Sequence, residues 1–186
     1  MNSFIKKILL IFILLTLLIV AILAYHDFFT SPKVTEKEMG PYLIATKRFV
    51  GSYYKVGPTM TEVDTQLRNL GVKSTLGIGL YYDSPAQKKE NELRSDVGNV
   101  LENVNEITLT KIKKELDVKE IKKQKAVVVA YPIKSPLSYM LGAMKVYPAI
   151  TQYWQEKKYP NSKDGYGVEI YDIPGKITYY FMYIPE

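Results

Sequence analysis

The chain has 186 residues, of which 47% are hydrophobic and 24% charged, and a net charge of +6, a composition typical of a globular domain. It contains no cysteine and one histidine, His26. Their scarcity excludes disulfides, thiolate chemistry, histidine-based triads and multi-histidine metal sites. We therefore expect neither a metal nor a cofactor.

The N-terminal segment has the pattern of a membrane anchor. Residues 1–7 form a short basic flank, and residues 8–25 form an apolar run that only Thr16 interrupts. At about 1.5 Å per residue, such a run spans roughly 27 Å as a helix, close to the thickness of a bilayer's hydrocarbon core. We interpret 8–25 as an uncleaved transmembrane anchor in a lipid bilayer, which makes the chain a single-pass membrane protein. The alternative is a cleaved signal peptide, whose apolar region usually has about 7–15 residues.

The charges beside the anchor bear on its orientation. Lys6 and Lys7 favour an N-terminus inside and a domain outside, because cytoplasmic flanks carry an excess of Lys and Arg. Lys33 and Lys37 lie within the same counting window on the other side of the anchor. The bias for this orientation is therefore slight.

Residues 26–40 are interpreted as a linker and residues 41–186 as one domain, divided into a first repeat 41–104, a connector 105–124 and a second repeat 125–186. The first repeat predicts the order β-α-β-β, with strand Tyr42–Val50, a helix that begins at Gly57-Pro58 and ends at Gly71, and strands Thr75–Asp83 and Leu93–Leu101. The second predicts the same order, with strand Ala126–Ile133, a helix from Pro136 that Pro148 should kink or split, and strands Tyr166–Asp172 and Lys176–Ile184.

The basic run of the chain, KIKKELDVKEIKKQK from Lys111 to Lys125, is interleaved with glutamate and aspartate. A nucleic-acid surface would instead gather basic residues on one face, with aromatic residues or glycines between them. The mixed pattern is typical of a solvated amphipathic segment. We therefore expect no nucleic-acid partner.

Two segments of the first half of the chain have similar sequences in the second half, at nearly the same spacing. Residues 55–61 match residues 145–151 at an offset of 90, and residues 82–85 match residues 171–174 at an offset of 89. Two matches in the same order of elements indicate an internal duplication, and hence a pseudo-two-fold domain with a groove between its halves. Such a groove is a usual place for a small molecule, so we expect a ligand in the cleft between the repeats.

Glu169 stands out within this duplication. At the offset of 89 it takes the position of Leu80, which shares one strand face with Leu76 and Ile78. A carboxylate on such an apolar face is costly unless it is paired, hydrogen-bonded or reached by solvent. We expect desolvation to raise its pKa and mark it as functional. The alternative is an ordinary edge residue, or one that pairs with Lys176.

Four motifs, in their order along the chain, resemble the GyrI-like small-molecule-binding domain: FVGSYYKVG, LRSDVG, EIYD and MYIP. The likeness covers Gly40 to Pro185. With the apolar N-terminus, LSYMLGAMKVYPAITQYWQEKKY and VEIYDIPGKITYYFMYIP are similar to the testis-expressed ER-phagy receptor branch. The resemblance implies an α+β fold, a duplicated β-α-β-β of two pseudo-two-fold related half-barrel units (GyrI-like or SOUL-like), behind the transmembrane helix.

The resemblance also implies a site. In many GyrI-like domains a cleft glutamate meets cationic or polar ligands among stacked aromatic rings. Glu169 and Tyr171 match the family's Glu-x-Tyr, and Tyr53 matches the tyrosine of its Gly-Pro-Tyr, which reads Gly-Ser-Tyr here. The family often has a second acidic residue just before the final Tyr-Ile-Pro, and this sequence has Phe181 there. That difference argues against two-carboxylate chemistry. We expect Glu169 to supply the counter-charge to a cationic ligand, and Tyr53, Tyr171 and Trp154 to form the walls of the cleft. The alternative for each aromatic residue is a position in the core or at the rim.

The sequence thus predicts a membrane-tethered, non-catalytic domain that binds small cationic or amphiphilic molecules. One alternative is a hydrolase of strained electrophiles with Glu169 as general base. Another is a protein-interaction module at the membrane. The ER-phagy receptors carry their autophagy-binding motif in a tail beyond the domain, and this sequence ends at Glu186, so we do not expect a receptor role.

Overall fold

The computed structural model describes residues 3–160 and 167–185. Its helices are α1 (Ser3–Tyr25), α2 (Gly57–Asn69), α3 (Glu106–Glu115) and α4 (Leu137–Glu156). Its strands are β1 (Thr35–Met39), β2 (Tyr42–Val50), β3 (Leu76–Tyr81), β4 (Arg94–Val100), β5 (Asp117–Ile121), β6 (Gln124–Pro132), β7 (Gly167–Asp172) and β8 (Ile177–Tyr183). The parts of the predicted ranges at residues 1, 2, 161–166 and 186 lie outside the described residues, the start of the strand predicted from Tyr166 included.

No side chain of helix α1 is buried in the domain. Its 23 residues correspond to about 35 Å of helix, and their most apolar window has a mean hydropathy of 3.2. Among the described residues, it is the one helix long and apolar enough to cross a membrane. A signal sequence near an N-terminus can meet the same criteria of length and composition.

The eight strands form a single antiparallel sheet in the order β1-β6-β8-β7-β3-β4-β2-β5. This order is symmetric about the β7–β3 pair, so that β8 corresponds to β4, β6 to β2 and β1 to β5. Each repeat contributes β-α-β-β, as β2-α2-β3-β4 and β6-α4-β7-β8. The predicted fold class, a duplicated half-barrel behind an apolar helix, is confirmed.

The two edge strands lie where the sequence predicted a linker and a connector. Strand β1 pairs with β6 of the second repeat, and β5 pairs with β2 of the first. Each repeat is therefore preceded by a strand that joins the sheet of the other repeat. Both strands are rich in charge, TEKEM and DVKEI, which is common at exposed sheet edges and hides them from a search for apolar runs.

The main core lies within the curl of the sheet. It is built from strand residues of both repeats, whose apolar side chains point to one face: Ile44, Ile78, Val100, Ala126, Val128, Ile170 and Phe181. Residues that end the edge strands, Met39 and Ile121, pack against it. The curl thereby gives both repeats one shared interior.

The helices cover the other face of the sheet. Helices α2 and α3 pack over β2 and β4 through Val63, Leu67 and Ile112. Helix α4 packs over β6 and β8 through Val146 and Ile150. Helix α4 continues through Pro148, so the prediction that this proline would split the helix is wrong. Because α2 and α4 lie on opposite halves, the central strands β3 and β7 are left uncovered between them.

Candidate functional site

A cleft of about 1210 Å³ lies between α2 and α4. Its floor is the helix-facing side of β3 and β7. Its walls come from both helices, from the segments that precede them, and from the segments that follow β3 and β7. The residues used below are those of the floor, Gly77, Tyr81, Glu169 and Tyr171, those of the first-repeat wall, Tyr53, Met60, Asp64, Arg68, Lys88 and Glu90, and those of the second-repeat wall, Pro136, Tyr139, Met140, Ala143, Met144, Tyr147 and Ile173.

Glycines of β3 make the floor possible. Gly77 lies opposite Tyr171 and Gly79 opposite Glu169 in the antiparallel register. A Cβ atom on Gly79 would come within 2.8 Å of the Tyr81 ring, a distance that real Cβ contacts do not reach. The glycine therefore leaves room for the Tyr81 ring over the strand, beside the carboxyl group of Glu169.

Glu169 is the charged group at the base of the cleft. It is only 6% exposed, and each of its oxygens accepts a hydrogen bond from a tyrosine. The Tyr147 hydroxyl donates to Oε1 at 2.9 Å, and the Tyr171 hydroxyl donates to Oε2 at 2.7 Å. The Tyr81 and Tyr171 hydroxyl oxygens are 2.7 Å apart. Because Tyr171 donates its proton to Glu169, Tyr81 donates to Tyr171. Three tyrosine hydroxyls therefore converge on one carboxyl group, two of them directly and Tyr81 through Tyr171.

Burial sets the ionisation of this cluster. Desolvation raises the pKa of Glu169 to about 7, while the hydrogen bonds from Tyr171 and Tyr147 act in the opposite direction. Burial also holds the pKa values of Tyr81, Tyr147 and Tyr171 well above 10, with the nearby Glu169 as the next cause. The tyrosines therefore remain protonated donors, and Glu169 is poised between its neutral and charged forms near neutral pH.

The structure corrects the face on which Glu169 was expected. Glu169 does not share the face of Leu80, because it pairs with Gly79 and points into the cleft, while Leu80 and Val168 pack on the inner core. The true offset in these strands is 90, so that Gly79 corresponds to Glu169 and Tyr81 to Tyr171. The tyrosine pair confirms it, since two residues 90 apart meet hydroxyl to hydroxyl across the two-fold axis. The expected rise in the pKa of Glu169 is found, and desolvation is its cause as expected, although the strand face was assigned wrongly.

The other predicted site residues divide. Tyr53 and Tyr171 line the cleft. The Tyr53 hydroxyl shares its one proton between the Asp83 and Arg94 carbonyl oxygens, 2.9 and 3.0 Å away. Its ring stands edge-on to Tyr81 with centroids 4.7 Å apart. Trp154 lies elsewhere: it is buried in the core under α4, and its indole N–H donates to the Pro160 carbonyl oxygen. The expectation that Trp154 forms a wall is wrong, because its position on α4 faces the sheet and not the cleft.

Two important residues were not singled out as site residues from the sequence. Tyr81 and Tyr147 complete the cluster around Glu169. Had the offset of 90 been applied to the strands, Tyr81 would have been recognised as the equivalent of the predicted site residue Tyr171. The Phe181 position does not face the cleft, because it pairs with Val168 and its side chain is fully buried in the inner core. Within the described residues there is also no group of three or more side chains suited to hold a metal ion.

Comparison with known proteins gives a family and a fold. The family model for the GyrI-like small molecule binding domain matches residues 32–184, whereas no curated protein matches the chain. The crystal structure of the EcmrR C-terminal domain is 15% identical, covering 83% of this chain and 98% of that one, with a TM-score of 0.59. An EcmrR–DNA complex is 15% identical, covering 98% of this chain and 69% of that one, with a TM-score of 0.62.

Two further structures share the fold. SAV2435 bound to tetraphenylphosphonium is 10% identical, covering 82% of this chain and 94% of that one, with a TM-score of 0.50. A hydrolase from Listeria innocua is 11% identical, covering 88% and 98%, with a TM-score of 0.52. At these identities the likeness is one of fold. Because the family model spans most of the sequence, the chain belongs to the GyrI-like small-molecule-binding domain family.

Proposed function

We propose that this protein is a membrane-tethered domain that binds small cationic or amphiphilic molecules in the cleft between α2 and α4. One observation carries the proposal: a single buried carboxyl group, Glu169, forms the base of an aromatic cleft and has no basic partner within hydrogen-bond reach among the described residues. Such a carboxyl group can supply the missing counter-charge to a cation, and the aromatic rings can supply its apolar contacts.

The cleft walls suit an apolar cation. The tyrosine rings of Tyr53, Tyr81 and Tyr139 line the cleft together with Glu169. Three methionines line it from the two helices: Met60, Met140 and Met144. Methionine side chains adapt to irregular shapes, and aromatic faces attract cations. That SAV2435 of the same fold is bound to tetraphenylphosphonium supports this class of ligand for the chain.

The tether is part of the proposal. Helix α1 has the length and apolar character of a membrane span, and an apolar ligand would be concentrated in the same bilayer. The order of an apolar helix followed by this domain also supports a place in the membrane-anchored branch of the family, beside the testis-expressed ER-phagy receptors. A slight preference for a cytoplasmic N-terminus, from Lys6 and Lys7, remains a prediction, as does the absence of a nucleic-acid partner.

A binding experiment tests the proposal. The full chain and its Glu169→Gln variant, both in detergent micelles, are titrated with tetraphenylphosphonium and with neutral triphenylphosphine oxide at pH 8. We expect the cation to raise the melting temperature of the wild type and not of the variant, because the amide has the shape of the carboxyl group without its charge. Equal shifts in both proteins would contradict the role of Glu169. No shift with either compound would remove the support for a ligand of this class.

A second function, hydrolysis of a strained electrophile, is favoured by the pKa of Glu169 near 7, which suits a general base at neutral pH. The Listeria innocua hydrolase has the same fold. The two functions differ in the fate of the molecule. Incubation with styrene oxide followed by mass spectrometry would show diol formed by the wild type and not by Glu169→Gln if the protein is a hydrolase, and unchanged epoxide if it only binds.

A further inference from the structure

The chain that follows α1 is fastened to the helix that forms one wall of the cleft. Both ring nitrogens of His26 lie near serine hydroxyls, Nδ1 at 3.0 Å from Ser138 Oγ and Nε2 at 3.2 Å from Ser135 Oγ. Tyr131 donates its hydroxyl proton to the His26 carbonyl oxygen. His26 itself is buried. These contacts join the end of α1 to the turn between β6 and α4.

Two lysines complete this junction. Lys134 Nζ donates to the Tyr25 carbonyl oxygen at 2.8 Å and pairs with the Asp27 carboxylate at 2.5 Å. Lys145 Nζ donates to the backbone carbonyl oxygens of Asp27 and Phe28. The last turn of α1 and the first half of α4 are thus held together by backbone and side-chain contacts on several residues, which fixes their relative position.

The same half of α4 lines the cleft on its other side. Ser138 and Lys145 contact the junction, whereas Met140 and Met144, which lie between them in the sequence of the helix, line the cleft. From Ser138 to Met144 the helix rises only about 9 Å. This end of the cleft therefore lies within about one helix diameter of the point where α1 leaves the domain.

The mouth of the cleft is apolar on this side and charged on the other. We call the apolar side the apolar rim and define it as Met140, Met144 and Ile173, which are 38%, 53% and 56% exposed. Ile173 lies in the turn between β7 and β8, which is hydrogen-bonded to the segment next to the junction. The Ile133 N–H donates to the Lys176 carbonyl oxygen at 2.7 Å. The opposite side is lined by charged residues of α2 and of the segment before β4: Asp64, Arg68, Lys88 and Glu90.

We propose that the apolar rim lies in the interface of the bilayer that holds α1, so that the cleft opens toward the membrane and takes its ligand from the lipid phase. The proposal rests on α1 as a membrane span and on the proposed ligand function. Exposed apolar side chains next to a membrane helix are stabilised by burial at the boundary of headgroups and acyl chains. The charged side of the mouth, where Arg68 and Asp64 form an ion pair at the surface, then faces water.

The absence of cysteine from the sequence allows a direct test with single-cysteine variants of the full chain. Met144→Cys and Ile173→Cys place a label on the apolar rim, and Leu14→Cys places one in the middle of α1. The matched control is Val50→Cys, since Val50 is as exposed as Ile173, 56%, but lies beside Arg94, at the other end of the strands. Each variant is labelled with the fluorophore NBD and reconstituted in phosphatidylcholine vesicles with and without a doxyl-labelled phosphatidylcholine, which quenches NBD on contact.

We expect the quencher lipid to reduce NBD fluorescence at positions 14, 144 and 173 and to leave position 50 unchanged. If the label at position 14 is quenched but the labels at 144 and 173 are quenched no more than the label at 50, α1 spans the membrane but the apolar rim does not face it. That result would overturn the proposal. No quenching at 14 would overturn the membrane span itself and this inference with it. A blue-shifted but unquenched label at 173 would instead indicate that a second copy covers the rim, which also contradicts the proposal. The readout does not depend on a ligand, so the binding function stands or falls separately.

Discussion

Glu169 shows how a single residue can combine a cost in stability with a function. Its carboxyl group is buried against tyrosines, and desolvation raises its pKa from 4.5 to about 7. The two tyrosine hydrogen bonds favour the charged form but do not fully replace the lost water. A cationic ligand in the cleft would supply the missing interaction and favour the charged form of Glu169.

The pH dependence of stability tests this account of Glu169. Between pH 4.5 and 7 the folded protein holds a proton that the unfolded chain has released, so this group makes the free energy of unfolding fall as the pH rises. A pKa raised from 4.5 to about 7 corresponds to a loss of about 3 kcal/mol, complete above pH 8. We expect the difference in unfolding free energy between Glu169→Gln and the wild type to rise with pH over this range, measured by urea denaturation in micelles. A difference independent of pH would contradict the raised pKa.

The tyrosine cluster permits a second test at the residue scale. Tyr171→Phe removes the hydroxyl that donates to Oε2 of Glu169 at 2.7 Å and keeps the ring. Because that hydrogen bond favours the carboxylate, its loss should raise the pKa of Glu169 above about 7. Infrared titration of the carboxyl stretch would follow the midpoint, with Tyr139→Phe as the control, because Tyr139 packs edge-on against Tyr171. A lower midpoint in Tyr171→Phe would show that the hydrogen bond does not act in this direction.

At the scale of the elements, close strand packing depends on a glycine. A Cβ atom on Gly98 of β4 would lie 2.1 Å from the Ala45 carbonyl oxygen of the neighbouring strand, and backbone atoms cannot turn away as a side chain can. We expect Gly98→Ala to lower the free energy of unfolding by at least about 2 kcal/mol. Gly57→Ala is the control, because open space surrounds that position and alanine favours a helix, so its effect should stay within about 1 kcal/mol. Equal effects of the two substitutions in thermal denaturation would refute this packing.

The elements also show where sequence reasoning succeeds and fails. The buried strand β6, AVVVAYP in its apolar part, and the Gly-Pro start of α2 are indicated by the residues themselves. The edge strands β1 and β5 are not, because pairing along one edge needs few apolar side chains. The bounds of these strands repeat at an offset of 82, at which β1 and β2 (35–39 and 42–50) map onto β5 and β6 (117–121 and 124–132). Only Lys-Glu, at 37–38 and 119–120, is shared by the two edge strands at this offset.

The change of offset has a structural cause. The strands that open each repeat are related by 82 residues, and the central strands by 90, so the second repeat contains eight additional residues between them. These additional residues lie before Tyr147. At an offset of 90 the start of α2 at Gly57 corresponds to Tyr147, but α4 begins ten residues earlier, at Leu137. This extension of α4 carries both Ser138 and Met140, and so it builds the anchor junction and one wall of the cleft. An offset fixed by two short matches could not locate it, and the error of one residue placed Glu169 on the wrong face.

At the scale of the whole molecule, the duplication gives two halves with different tasks. The central strands of both repeats meet at the floor of the cleft, but only the second repeat carries the carboxyl group, at the position where the first carries Gly79. Within residues 3–160 and 167–185, the side-chain hydrogen bonds that join the end of α1 to the domain are made with the second repeat, His26 bonding to Ser138 and Lys145 to the Asp27 carbonyl oxygen. The charge and the tether therefore belong to one half, and the first repeat completes the cleft opposite them.

The central claim is that a cation binds by meeting the charge of Glu169, and proton release measures this directly. At pH 6 a carboxyl group with a pKa of about 7 is mostly protonated, so binding of tetraphenylphosphonium must expel about nine-tenths of a proton per molecule bound. Calorimetric titrations of the full chain in micelles, repeated in buffers of different ionisation enthalpy, count that proton. We predict its release by the wild type at pH 6, its near absence at pH 9, and none from Glu169→Gln at either pH. Binding of the cation without proton release at pH 6 would contradict the account.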